Sequence, residues 1–543
     1  MTVANPRMRP ATAAEGVAAT AVTPTGEKAK ATKEKAKPAK KKSSGSGSRP
    51  NATQRLLLLA STEVVLAKSQ AGMLMAGQVG KPHLMQSLAG PQPYALVPIA
   101  LQYLSTYGNP VPHEAFISVQ RTLSFEASLL NPREVHLRSA RCGSEVWVDT
   151  GWDDASVVHV TPSGWTIESA APVLFTRSAV TAPLADPRGI KDDLGLIARY
   201  VHCQPEDLPL ILAVLVTAWF SDVPQPVFSL FGNADSGKST AMRFLLDLID
   251  PSTTQPGGTL DKDPRNLKAV ASVRRVMCFD NASHIDAEMS DLLARISTGG
   301  ELLSRALYTD DQAHITELLR PVWLNGIMSG FSRGDLASRA VAVELLPVAP
   351  QHRLAVEDLN SRWKEDRPAI FAGLLALTVL VLRDRDSTRP TGLHRLAEFE
   401  RNLLVIDQVL GMHGADRLAE QAGSLNEAVL DATTFGMALR KAVEEAREFH
   451  QESLFGTVPR IPCSTGFLGR DDHLFQKHTT AALMAIVASV VDERHQRDLP
   501  QTAKAFGEAL SRLTPALRSC LDVEITRPRV SGTRYIKVKD LRA

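Results

Sequence analysis

Gly232, Asn233, Ala234, Asp235, Ser236, Gly237, Lys238, Ser239 and Thr240 form one unbroken run in which a glycine, four residues, a second glycine, a lysine and a hydroxyl residue follow in order. A polyphosphate calls for that spacing: glycines let backbone N–H groups close around phosphate oxygens, a lysine ammonium reaches the terminal phosphates, and a hydroxyl binds Mg²⁺. The short apolar run Val227–Phe231 before it reads as a strand, and Ala241–Leu248 after it as a helix. The loop then opens a helix, where unpaired N–H groups and the helix dipole favour anions. This predicts a mononucleotide site, with ATP as the expected nucleotide and Mg²⁺ as its cation.

A phosphate loop hydrolyses nothing without an acidic strand end to hold the Mg²⁺ shell and a group to position water. In RRVMCFDN the apolar run Val276–Phe279 delivers Asp280 to the end of a second strand. Asn281 follows where a second acid would activate water, and an amide orients water but is a poor base. Either hydrolysis is slow, or a carboxylate such as Glu301 or Asp291 serves, from a neighbouring subunit if not from the same one. RPVWLNG is a third apolar strand, ending in Asn325, which suits contact with the γ-phosphate or the attacking water; taken alone, it would read as a turn asparagine. In DLASRAVAVELLPV, Arg339 precedes a fourth strand, Ala340–Leu345, and can act as an arginine finger across a subunit interface or as a solvated surface cation. Between Asp280 and Asn325, a Gly pair precedes Arg305 and apolar alternation follows, which fits either a hairpin aimed at a central pore or a plain connection.

These residues need elements to hold them. Residues 1–50 carry eleven Lys or Arg against three Glu and almost no large apolar side chains, so this segment is expected to be disordered, as a linker or a polyanion contact. Residues 51–190 read as an N-terminal α+β domain, with alternation between Glu145 and Arg177 predicting a small antiparallel sheet. Residues 191–350 hold the nucleotide core, 351–470 read as a helical lid, and 471–543 as a winged helix in the order helix, helix, helix, hairpin, the third helix being a further short apolar turn. On that hairpin Arg527, Arg529 and Arg534, with Lys537 and Lys539, are candidate contacts to DNA phosphates. The longest apolar stretches, Leu208–Phe220 and Ile370–Leu382, span thirteen residues each and fall short of a bilayer. Five scattered cysteines without a C-x-x-C pair argue against a zinc site and a disulfide framework, and fit a reducing cytosol.

In order, the phosphate loop, Asp-Asn strand end, Gly-Gly-Arg connection, Asn-ended strand and D-L-x-x-R resemble the superfamily 3 helicase ATPases of viruses and mobile elements. FDNASHID, ISTGGELLSRALYTDD, LASRAVAVELLPV and HRLAEFERNLLVIDQVLG are similar to the primase-helicase-like ATP-binding proteins of actinobacterial phages and integrative elements, over about Val227 to Gly411. The resemblance implies an α/β fold, a P-loop AAA+-like three-layer sandwich, that assembles as a homo-oligomeric ring, as a hexamer, and moves along DNA. It implies that Lys238 and Ser239 bind phosphates and Mg²⁺, Asp280 completes the metal site, Asn325 senses, Arg339 is the finger, and Arg305 contacts DNA. The rival readings are an ATP-switched DNA-binding initiator or regulator without unwinding, and a signalling or defence ATPase whose C-terminal module binds protein.

Overall fold

In the computed structural model, the strand Val227–Phe231 runs parallel to Val322–Gly326 on one side and to Ala340–Glu344 on the other, and Met277–Phe279 extends the sheet beyond Val322–Gly326. The described residues are 50–542, except 92, 234, 255–256, 259, 261–262, 281, 283–284, 306–312, 327–333, 350, 352, 455–472 and 531–532. The expected disordered segment, Ala234 and Asn281 therefore lie outside them, save Pro50.

Side chains alternate across this sheet because the strand period is two. Phe228, Leu230, Cys278, Trp323, Val341 and Val343 face one apolar core. Val227, Met277, Phe279, Val322, Leu324, Ala340 and Ala342 face another. A parallel sheet buried on both faces needs helices on both, and each run is accordingly apolar throughout. The helices Leu208–Ala218, Lys238–Ile249, Val356–Asp384 and Ala397–Leu410 fill the first core. The helices Pro264–Val273, Ala287–Thr298, Thr434–Leu454, Thr480–Ser489 and Ala503–Leu521 contribute to the second.

The two thirteen-residue apolar runs are core helices. Every residue from Pro209 to Ala218 is buried, which is why that helix is apolar all round. No helix among the described residues is long and apolar enough to cross a membrane. The helix Val356–Asp384 lies against the phosphate-loop helix, with Trp363 stacked on Phe244 at 4.6 Å between ring centres and its indole N–H donating to Asp247 at 3.0 Å. It also packs on the antiparallel meander Ser139–Cys142, Glu145–Asp149, Val157–Thr161 and Gly164–Glu168, the sheet expected from alternation. Before the meander, the helices Ala52–Glu63, Val97–Tyr107 and His113–Ser128 enclose an apolar cluster with residues of the strands Val64–Ser69 and Leu74–Gln78.

The C-terminal order differs from the expected one. The apolar turn after TAKAFGEALSRL does not form a separate element: one helix, Ala503–Leu521, runs straight through Pro515. Leu510, Leu513, Ala516, Leu517 and Leu521 continue a single buried stripe across it, and that burial outweighs the backbone hydrogen bond proline removes. A strand not expected from the sequence, His473–Thr479, joins the hairpin strands Val523–Thr526 and Thr533–Asp540 in one sheet.

Buried charges tie these layers together. Asp207 is fully buried and bonded to Arg417 Nε at 2.7 Å. Glu400, also fully buried, accepts hydrogen bonds from the Thr391 N–H (2.6 Å), the Thr391 hydroxyl (2.7 Å), the Gly392 N–H (3.0 Å) and the His394 N–H (3.2 Å). Burial pushes this carboxyl up, and the Thr391 hydroxyl and backbone N–H groups outweigh it and hold it below the ordinary glutamate value. A depressed folded value means stabilisation that is present above the unfolded value and lost as pH falls through the folded one. Glu400→Gln is therefore expected to cost about 2 kcal/mol of unfolding free energy at pH 7, with a smaller difference at pH 4, as measured by urea unfolding at both pH values.

Candidate nucleotide site

The phosphate loop is shaped by its glycines. At Gly232, φ is +145° and a Cβ would lie 2.6 Å from the Leu345 carbonyl oxygen and 3.0 Å from Ser236 Oγ, so only glycine lets the loop pass this close to the neighbouring backbone. Asp235 and Gly237 take left-handed conformations, and Gly237 caps the helix that starts at Lys238. Ser236 is buried, whereas Asn233, Asp235 and Ser239 are exposed and Thr240 is half-buried. Lys238 Nζ donates to the carbonyls of Gly232 at 3.0 Å and Asn233 at 2.7 Å, which folds the ammonium back over the loop.

Three strand ends meet here. Ser239 Oγ donates towards the Asp280 carboxylate, at 3.2 and 3.4 Å from its two oxygens, and the Asn325 amide donates to Ser239 Oγ at 2.9 Å. Asn325 is 2 % exposed, so its amide is fixed by packing as well as by this bond. The strand ends are clamped together: Ala282 N–H donates to the Asn325 carbonyl at 2.8 Å, and Gly326 sits where a Cβ would come within 2.9 Å of the Ala282 carbonyl. At the other end of the Asp280 strand, Asp250 accepts from the N–H groups of Arg275 (2.8 Å) and Val276 (3.1 Å) and from Arg138 Nε (3.2 Å). Asp250 directly follows the phosphate-loop helix, so one carboxylate ties that helix to the strand carrying Asp280. Burial, and then the Asp280 charge, push the Cys278 thiol up to about 12, which keeps it a protonated core residue.

The residues fit Mg²⁺. A hydroxyl and a carboxylate already converge within hydrogen-bonding distance, both are hard oxygen donors, and Mg²⁺ typically takes one or two protein ligands with phosphate oxygens and water making up the rest. The nearby Asn325 amide adds a donor that can face a phosphate oxygen or a water.

Other candidates lie elsewhere. Arg339 is 9 % exposed and immediately precedes Ala340, which pairs with Val227. It therefore stands at the end of the sheet opposite the loop, roughly 13 Å of strand away, and does not join Ser239, Asp280 and Asn325. Arg305 ends the strand Gly300–Arg305, which pairs antiparallel with Ala313–Leu318 as a hairpin separate from the main sheet. Glu301 lies on that hairpin and Asp291 on the helix before it. At the C-terminus Arg527 donates to the Gly507 carbonyl at 3.0 Å and is bound to the helix beneath it. Arg529 and Arg534 are both exposed and directly opposite each other across two strands. One residue near the loop carried no sequence signal: Arg353, whose guanidinium lies 4.0 Å from the Asp235 carboxylate. It lies beyond the strand Ala340–Glu344, and spacing alone does not reveal its place beside the loop.

Comparison with known proteins bears on this region. Residues 192–428 match the family model of the actinomycete integrative conjugative element replication protein. The matched region contains the phosphate loop, Asp280, Asn325 and Arg339, and ends before the C-terminal strands. A search of curated proteins returned no match. Among solved structures, the chain is similar to the SCCmec type IV Cch active helicase at 12 % identity and a TM-score of 0.39, over 88 % of this chain and 93 % of that one. It is also similar to the apo NrS-1 C-terminal region at 10 % identity and a TM-score of 0.40, over 91 % and 100 %.

Lys238→Ala removes the ammonium that lies over the loop, bonded to the Gly232 and Asn233 carbonyls. Nucleotide affinity and turnover are expected to fall about 100-fold or more, with an unchanged thermal melt; titration of a fluorescent ATP analogue and a phosphate-release assay check this.

Proposed function

We propose that this chain is an ATP-hydrolysing DNA motor, a helicase or translocase of superfamily 3 type, that serves replication of a phage or integrative element. The observation that carries the reading is the meeting of Asp280 and Asn325, from two strand ends, with Ser239 beside Lys238 of the phosphate loop. The replication-protein match over the same residues supports the biological setting.

In this mechanism Lys238 leaves the Gly232 and Asn233 carbonyls for the terminal phosphates of ATP, exchanging two neutral acceptors for charged ones. Ser239 and Asp280 would hold Mg²⁺ in place of the hydrogen bond they now share, and the cation would supply neutralisation of phosphate charge. Asn325, released from Ser239, orients the γ-phosphate or the attacking water. The water's proton goes to a carboxylate such as Glu301 or Asp291, of a neighbouring subunit or of the same one. Arg339 serves a neighbour's site within a hexameric ring, because in its own subunit it stands at the far end of the sheet. Arg305 on the hairpin and Arg529 and Arg534 on the C-terminal strands contact DNA; two opposed like charges repel in the free protein, and a phosphate between them would relieve that repulsion.

Asn281 favours a second reading, in which slow hydrolysis makes ATP a switch for a DNA-binding initiator or regulator. Both readings share the ATP site and part over DNA-dependent turnover.

If Arg339 acts in trans, mixing Arg339→Ala protein with Lys238→Ala protein restores part of the turnover each has lost, since mixed interfaces pair an intact loop with an intact arginine. No recovery in demonstrably mixed assemblies contradicts that role. For the C-terminal cations, Arg529→Ala with Arg534→Ala is expected to lower the log-log salt slope of duplex binding by about 0.9 per lost phosphate contact, equally for unrelated sequences. An unchanged slope and affinity would make the C-terminal strands a protein-contact surface.

A further inference from the structure

Asp280 is held from a side that its own strand does not supply. Gly258 forms a parallel bridge with Phe279, on the edge of Met277–Phe279 left open by the Asn325 strand. The preceding residue, Gly257, has φ of +113°, and a Cβ built on it would lie 2.9 Å from Asp280 Cβ and 3.7 Å from both its Cγ and Oδ2. Real Cβ atoms do not sit that close to another carbon, so any side chain at Gly257 must displace either the Asp280 side chain or the backbone beside it. Gly258 is different: its φ is not positive, and a Cβ there would meet nothing within 4 Å.

We propose that Gly257 is a positioning residue for the metal-binding carboxylate: its bare α-carbon is the wall that holds the Asp280 side chain towards Ser239. The proposal rests on the reading of Ser239 and Asp280 as Mg²⁺ ligands. Asp280 leaves the sheet at a strand end, with Asn325 on one flank and the Gly257–Gly258 segment on the other. Only glycine adopts this φ without strain while allowing so close an approach. The segment returns from the phosphate-loop helix, so the same stretch of chain that holds Ser239 sets the position of its partner carboxylate.

Gly257→Ala and Gly258→Ala, made in the full chain, separate this role from a general one. Affinity for a fluorescent ATP analogue is measured in EDTA and across a Mg²⁺ titration, with a thermal melt of each protein. In Gly257→Ala, metal-free affinity is expected to match wild type, while the Mg²⁺ concentration for half-maximal tightening rises about 10-fold or more, as when a group supporting a ligand is lost. Gly258→Ala is expected to match wild type in both. A wild-type Mg²⁺ response in folded Gly257→Ala overturns the proposal and leaves the site reading intact. Wild-type protein that binds no nucleotide, or binds it without regard to Mg²⁺, overturns the site reading and the proposal with it. Should Gly257→Ala fail to melt cooperatively, Gly257→Asn brings the same Cβ against Asp280 on a residue more tolerant of positive φ. Collapse of both beside an intact Gly258→Ala counts against the proposal, because Gly257 would then serve the whole fold.

Discussion

The hydrogen bond from the Asn325 amide to the Ser239 hydroxyl joins the end of one strand to the first turn of the helix that follows its neighbour. It forms because Leu230 pairs with Asn325 in parallel register, so the two strands end level. The same register pairs Phe279 with Leu324 and brings Asp280 out at that edge. A shift of one residue would turn Asn325 to the opposite face and exchange the two apolar cores. The register is therefore set by the burial of Trp323 on one side and Val322 and Leu324 on the other, and the polar residues at the strand ends inherit their positions from that packing.

The polar groups at the site satisfy one another. Lys238 is bonded to backbone carbonyls, Ser239 to Asp280, and Asn325 to Ser239. These bonds are partly exposed, and bonds of this kind contribute about 1 kcal/mol each. A polyphosphate with its cation offers charge-assisted replacements of roughly twice that strength. The arrangement thus keeps Ser239, Asp280 and Asn325 in place without committing them so firmly that a ligand cannot displace their mutual contacts. Separate bonds support these residues: Asp250 across the strand start, Ala282 against Asn325, and the buried Asp207 and Glu400 networks further out.

Residues whose chemistry depends on local spacing were legible in the sequence. The phosphate loop, Asp280 and Asn325 each come at the end of an apolar run, and the structure brings them together. The meander was legible from its period of two, whereas the two thirteen-residue runs stood out by unbroken apolar character and length and not by a period. Contacts made by distant segments were not legible: the Leu345 carbonyl against Gly232, Asp250 beneath the Asp280 strand and Arg353 beside Asp235 are products of tertiary packing. The short apolar turn expected after TAKAFGEALSRL is instead the second half of one helix, because a continuous buried stripe runs across Pro515. Arg527 read as one of three equivalent cations, yet its contact with Gly507 separates it from Arg529 and Arg534.

The central claim is that this nucleotide site drives work on DNA. It is tested most directly by the ATP turnover of the wild-type chain with Mg²⁺, alone and with single-stranded and duplex DNA. The account predicts turnover that rises when DNA is added. Turnover that is measurable but indifferent to both forms of DNA would contradict the motor and leave an ATP-binding switch.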